Sequence, residues 1–184
     1  MLQLGILLTL ALLVGVDQLT KWLAVSQLKG HDPFMVIPHV FSFTYTENTG
    51  AAWNLFDGQT WILVGVTSVI MIGVLIVLLS GRFRTYRMAN IGGVLVVAGG
   101  LGNLIDRVVR GYVVDFIKTE FIDFPIFNFA DCCVVIGALM LFVYFVFFYS
   151  DRSKKEGKPA AESVDIITEG KEEETGGDHT ANSQ

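Results

Sequence analysis

Two aspartates near the end of the apolar part of the chain are the residues best placed to do chemistry. Asp115 lies in Gly111-Tyr112-Val113-Val114-Asp115-Phe116, and Asp131 ends Phe127-Asn128-Phe129-Ala130-Asp131, at the start of the last apolar run. A carboxylate at the edge of a membrane is costly to keep ionised, and an apolar setting or a second carboxylate nearby raises its pKa. Two that converge titrate as a unit and share one proton near neutral pH. One can then deprotonate water while the other protonates or polarises a carbonyl, and a water-poor setting strengthens both effects.

Membrane-spanning elements must position them. The 184 residues are 52% hydrophobic and only 17% charged, with a mean hydropathy of +0.55, which puts the chain outside the soluble range. Spanning the hydrocarbon takes about 20 apolar residues as helix. Four stretches qualify, near 4–23, 61–79, 91–109 and 128–149. The first lacks the basic start and small-residue cleavage site of a signal peptide and carries Asp17 and Lys21. The expected fold is therefore an all-α integral membrane protein. Residues 1–150 form its transmembrane domain, with loops near 24–60 and 110–127, and 151–184 form a disordered cytoplasmic tail. That tail holds nine acids against five bases and no aromatic residue, too little apolar surface to offset its ordering entropy.

Basic residues give the direction. Arg82, Arg84 and Arg87 lie between spans two and three, and Arg152, Lys154, Lys155 and Lys158 follow span four. These mark the cytoplasmic side, so both termini are expected inside and the two longer loops outside. In the first loop Phe41-Ser42-Phe43-Thr44-Tyr45-Thr46 alternates aromatic and hydroxyl residues with the period of a half-buried strand. It is expected to pair with the β-rich stretch around 113–117 in a small extracellular sheet. Asn48-Thr49-Gly50-Ala51-Ala52 then supplies a turn where backbone must come close to something.

With that topology the polar residues of the spans fall in one leaflet. Asp17 sits near the outer end of span one, span three ends Asn103-Leu104-Ile105-Asp106-Arg107, and span four begins Asn128-x-x-Asp131. Convergence of intramembrane acids points to a functional site. Each has a plainer reading as well: Asp17 and Lys21 are spaced to pair, Asp106 and Arg107 can form an interfacial ion pair, and Asn128 with Asp131 fits a helix cap. The neighbours Cys132 and Cys133 read as buried thiols, because a disulfide between adjacent residues is strained. The histidines are scattered, and no metal site is expected.

Five segments carry a family resemblance: Asp17-Gln18-Leu19-Thr20-Lys21, Glu47-Asn48-Thr49-Gly50-Ala51-Ala52-Trp53, Gly99-Gly100-Leu101-Gly102-Asn103-Leu104-Ile105-Asp106-Arg107, Val113-Val114-Asp115-Phe116 and Phe127-Asn128-Phe129-Ala130-Asp131. In this order, on four spans, they resemble the bacterial lipoprotein signal peptidases, type II signal peptidases of the plasma membrane. The similarity covers about residues 5–150. It implies an aspartic endopeptidase that cuts a prolipoprotein's signal peptide before a cysteine already bearing diacylglyceryl, with an extracellular β-cradle over four helices. It implies that Asp115 and Asp131 are the catalytic dyad, and that Asp17, Lys21, Asn48, Gly50, Asn103, Asp106, Arg107, Asn128 and Ala130 shape or support the site. No metal or other cofactor is implied. The partners expected are lipidated precursor signal peptides and membrane lipid, with no nucleic acid, for a monomer working at the outer leaflet. The competing class is a small transporter or proton channel. That class places polar groups at the midplane, whereas span two has no charged residue between Trp61 and Leu79. A second rival is a non-catalytic membrane scaffold, in which either aspartate tolerates replacement by asparagine.

Overall fold

A computed structural model of the chain describes residues 2–50, 55–56, 58–81 and 86–149. The expectations for Ala51 to Trp53, for Arg82 and Arg84, and for the tail 151–184 with its basic residues lie outside the described residues. Among the described residues the element order is α1 (Leu2–Leu28), β1 (Phe34–Ile37), β2 (Phe41–Asn48), α2 (Thr60–Leu79), α3 (Arg87–Arg110), β3 (Val113–Thr119) and α4 (Phe129–Val143). The last helix continues as a π-helical turn, Tyr144–Tyr149. All four helices are long and apolar enough to cross a membrane.

Helix α3 forms the centre of the bundle because its glycines let both neighbours approach. Its buried positions run from Ala89 and Gly92 through Val97 and Gly102 to Asp106. A Cβ at Gly93 would meet Leu78 of α2, and one at Gly92 would lie 2.9 Å from the Gly137 carbonyl of α4. Without a hydrophobic drive in lipid, such close approach supplies the packing energy. The apolar core joins Ile6 and Leu10 of α1, Met71 and Leu78 of α2, and Val94, Val97 and Ala98 of α3.

The three strands form one antiparallel sheet in the order β1-β2-β3, at the end of the bundle where α1 and α3 finish and α2 and α4 begin. The expected pairing of the two loops is borne out, with Phe43 opposite Ile117 and Asn48 opposite Val113. Strand β1 adds to the far side of β2, pairing Phe34 with Phe43, and was not expected. Between Phe43 and Thr46 the β2–β3 register slips by one residue. Since side chains alternate faces, this bulge turns Asn48 to the face that carries Asp115.

Two further devices fix the geometry at this end. Gly111, in the left-handed conformation (φ 83°), stops α3 and turns the chain into β3. After β3 the chain folds back on it: the Ile117 amide donates to the Phe127 carbonyl at 2.8 Å, and the Phe127 amide donates to the Ile117 carbonyl at 3.0 Å. This clasp sets the start of α4 beside β3.

Candidate active site

Each carboxylate of the pair is held by amide donors. Asp115, 2% exposed, accepts at Oδ2 from Asn48 Nδ2 (2.9 Å) and at Oδ1 from Asn128 Nδ2 (2.6 Å). Asp131 accepts at Oδ1 from Asn103 Nδ2 (2.7 Å) and at Oδ2 from the Asn128 backbone amide (3.0 Å). The reciprocal bond, from the Asp131 amide to Asn128 Oδ1 at 3.0 Å, completes a capping box on α4. The cap read from the sequence therefore exists, and the same asparagine also reaches Asp115. Its Nδ2 further donates to Asn103 Oδ1 at 3.1 Å, so a chain of amides links the two aspartates.

Behind this pair lies a buried charge cluster. Lys21 is wholly buried, and its Nζ lies 3.0 Å from Asp17 Oδ2 and 3.1 Å from Asp106 Oδ2. It also donates to Asn103 Oδ1 at 2.8 Å. With that oxygen occupied by two donors, the Asn103 amide is oriented with its NH₂ toward Asp131. The cluster also holds backbone: Asp17 accepts from the Ala130 amide at its other oxygen, Oδ1 (3.0 Å), and Asp106 accepts from the Val114 amide at the same Oδ2 that meets Lys21 (3.1 Å). Three charges in an apolar interior persist because each is paired; Asp106 Oδ1, which accepts no hydrogen bond among the described residues, faces the Arg110 guanidinium at 3.4 Å.

Asp106 and Arg107 do not pair with one another. Neighbours on a helix point about 100° apart, and the two side chains serve different loops. Asp106 takes Lys21, the Val114 amide and Arg110 (3.4 Å). Arg107 Nη2 donates to the Gly50 carbonyl at 2.8 Å. Gly50 in turn donates its amide to Asn48 Oδ1 at 3.0 Å, which orients that side chain's NH₂ toward Asp115. Beyond them, Lys29 and the Tyr45 hydroxyl both donate to Glu47 Oε1, at 2.9 and 2.7 Å, bracing the strand next to Asn48. Lys29 holds the Glu47 carboxyl below its usual range.

The structure thus brings every expected site residue to one end of the bundle and divides them by whether they line a cavity. Asp115, Asp131, Asn48, Asn103 and Arg107 line a cavity of about 600 Å³ whose other walls are apolar: Phe124 to Phe127 of the returning loop, and Val134, Val135 and Ile136 of α4. Asp17, Lys21, Asp106 and Ala130 lie behind it. Phe124 to Phe127 were not anticipated as site residues. Their signal was a short run of apolar residues between the β-rich stretch around 113–117 and the last span, too short to read as an element. Cys132 faces the cavity and Cys133 is buried, both as free thiols. Burial raises the Asp115 carboxyl to about 6, and the neighbouring Asp131 charge pushes in the same direction.

Close packing of α3 on α4 keeps Asp131 in place. A Cβ at Gly99 would collide with the Ala130 carbonyl, and the backbone of a capped first turn cannot yield. Gly99→Ala is expected to destabilise the protein by about 1–3 kcal/mol and to lower cleavage at least about tenfold by shifting Asp131. Gly65→Ala, with open space around it, is the neutral control. Melting and cleavage of the two purified variants check this.

Four apolar helices, a carboxylate pair held by amides and an apolar cleft beside it define a membrane protein with a polar centre at one end of its bundle. The comparisons with known proteins carry this to a family. The family model described as signal peptidase (SPase) II matches residues 9–147. The lipoprotein signal peptidase of Enterococcus faecalis is 42% identical over 148 residues, 80% of this chain and 90% of that one. That of Clostridium acetobutylicum is 38% identical over 155 residues, 83% of this chain and 98% of that one. A bacterial membrane enzyme solved at 2.3 Å superposes with a TM-score of 0.69 at 34% identity, covering 84% of this chain and 93% of the other. The chain belongs to the signal peptidase II family of aspartic peptidases, which remove signal peptides from prolipoproteins. Neither the comparisons nor the uncharged α2 support a transporter.

Proposed function

We propose that Asp115 and Asp131 are the catalytic dyad, and that this peptidase cuts its precursor immediately before a cysteine bearing diacylglyceryl. The observation that carries the reading is the Asn128 side chain, which ties the two carboxylates into one network at the wall of the apolar cavity. Each Asp oxygen uses one lone pair on an amide donor, and the second remains for water or the shared proton. The dyad deprotonates a water, which attacks the scissile carbonyl as the other carboxyl donates its proton to the carbonyl oxygen. Collapse of the tetrahedral intermediate expels the amine, protonated by the same pair. Arg107 and Asn48 hold the loop at Gly50 against the cavity. The signal helix and acyl chains lie along Val134 to Ile136 of α4, where apolar surface faces the membrane.

In this reading the sheet end of the bundle is outside, both termini are in the cytoplasm, and the enzyme acts as a monomer in the plasma membrane. The surplus of basic residues between spans two and three and after span four supports that direction. The catalytic unit is residues 1–150, with the acidic tail dispensable.

Two measurements test the function. Purified protein given lipidated and unlipidated forms of one precursor, with chelator present, is expected to cut the lipidated form alone. Equal cutting of both overturns the specificity. The pH profile tests the dyad. A carboxyl raised to about 6 is protonated below that value and ionised above it, and a dyad needs one proton. The alkaline limb of kcat/KM, which reports the free enzyme, is expected with an apparent pKa near that value, belonging to the pair. Folded Asp115 also binds a proton that the unfolded chain has released. Its contribution to stability is therefore fully present below the ordinary carboxyl pKa and lost as pH rises through about 6. A kcat/KM flat from pH 5 to 8 contradicts the assignment.

A further inference from the structure

A second groove, of about 660 Å³, lies on the α1 side of the sheet. Its wall is the last two turns of α1 from Thr20 to Leu28, its floor is Phe43 and Phe116, and its lid is the turn from His31 to Phe34. It shares no lining residue with the catalytic cavity. The two are separated by β3, where Phe116 lines one and Asp115 the other, as alternation of side chains along a strand requires.

We propose that this groove holds an acyl chain of a bulk membrane phospholipid with an amine-bearing headgroup, as a structural ligand distinct from the lipid on the substrate. The volume falls in the range of small-molecule sites, roughly 300–1,000 Å³. Its mouth is continuous with the membrane-facing surface of α1, where Leu19, Trp22 and Leu23 are all exposed, so the space opens to hydrocarbon. The lid leads into β1, whose residues Phe34, Met35, Val36 and Ile37 are all exposed although the strand forms the sheet edge. In water such an edge is an aggregation template; against acyl chains it is covered. At the rim Asp32 is exposed and forms no ion pair among the described residues, while the nearby Lys29 is held by Glu47. An ammonium group complements Asp32, and a bare phosphate does not. A chain in the groove lies against Phe116 and so supports β3 from behind.

The test is native mass spectrometry of the full-length protein released from nanodiscs made with equal phosphatidylethanolamine and phosphatidylglycerol. Wild type is expected to retain one phospholipid, with phosphatidylethanolamine favoured by about tenfold. Asp32→Asn removes the preference. Gln27→Trp, which fills the groove, and Phe34→Asp, which charges its mouth at an exposed edge position, each remove the bound lipid. Melting curves in lipid-free detergent show whether each variant folds, and the exposed Phe34 site keeps the test open if the tryptophan is not tolerated. Unchanged retention in folded variants overturns the groove as a lipid site. Equal retention of the two lipids overturns the headgroup assignment. One-for-one displacement of the bound lipid by a lipidated precursor on the non-cleaving Asp115→Asn protein overturns the separation from substrate. The retention readouts do not depend on cleavage and stand apart from the dyad assignment; only the displacement arm rests on it.

Discussion

Asp115→Asn and Asp131→Asn are each expected to lower cleavage of a lipidated precursor by about 10³-fold or more, as loss of a general acid or base does. The double variant is expected to fall no further than the worse single one, because residues that act as a unit are not additive. The substitutions are not silent in the ground state. Both oxygens of each carboxylate accept from amide donors, and an asparagine, with one acceptor and one donor, satisfies only one of them. The orphaned donor costs about 1–3 kcal/mol, enough to lower the melting temperature while leaving a folded, inserted protein. The informative comparison is therefore cleavage per folded molecule, with melting curves beside the rates. Near-wild-type cleavage by Asp115→Asn would remove it from the mechanism.

The second large effect is expected at Asn128. Its side chain donates to Asp115 and Asn103 and caps the helix that carries Asp131, so Asn128→Ala cuts three bonds at once. Loss of the cap alone costs about 1 kcal/mol, and misplacing a reacting group by an ångström costs about 10²-fold in rate. Asn128→Asp is read beside it. Aspartate keeps the cap but meets the Asp115 carboxylate with a negative charge, which raises the pKa of the pair. Both variants should lose kcat and stability, the alanine through the lost cap and the aspartate through an added charge at a fully buried position, and the aspartate variant should move the alkaline limb of kcat/KM upward. An unmoved limb in Asn128→Asp would mean that this side chain does not contact the dyad in the working enzyme.

How far these residues could be read from sequence depends on what fixes each one. The four spans follow from length and composition, and β2 follows from the alternation of Phe41, Phe43 and Tyr45. Strand β1 escaped because Phe34 to Ile37 are all exposed: with no buried face there is no alternation to detect. The bulge escaped for the opposite reason, since Thr44-Tyr45-Thr46 continues the pattern across a register slip that only pairing reveals. Among Asp17, Asp106, Asp115 and Asp131, cost of burial gave no ranking, and the family resemblance singled out the last two. The structure supplies a physical difference, because Asp17 and Asp106 share Lys21 behind the cavity while Asp115 and Asp131 have only amide donors and line it. That difference depends on which helix ends meet, which no spacing within one helix encodes.

The buried charge cluster also bears on how the chain enters the bilayer. Asp17 and Lys21 are one turn apart on α1, and Asp106 and Arg110 are one turn apart on α3, so each helix carries its own counterion. A lone charge crossing hydrocarbon is costly, and a neutralised pair much less so. Each of these two acids can therefore be neutralised within its own helix before any tertiary contact exists. Docking then amounts to a partial exchange of partners, in which Lys21 takes on Asp106 while keeping Asp17. The site is wired together only when α1 and α3 have both arrived, so assembly of the bundle and completion of the reaction centre are a single event.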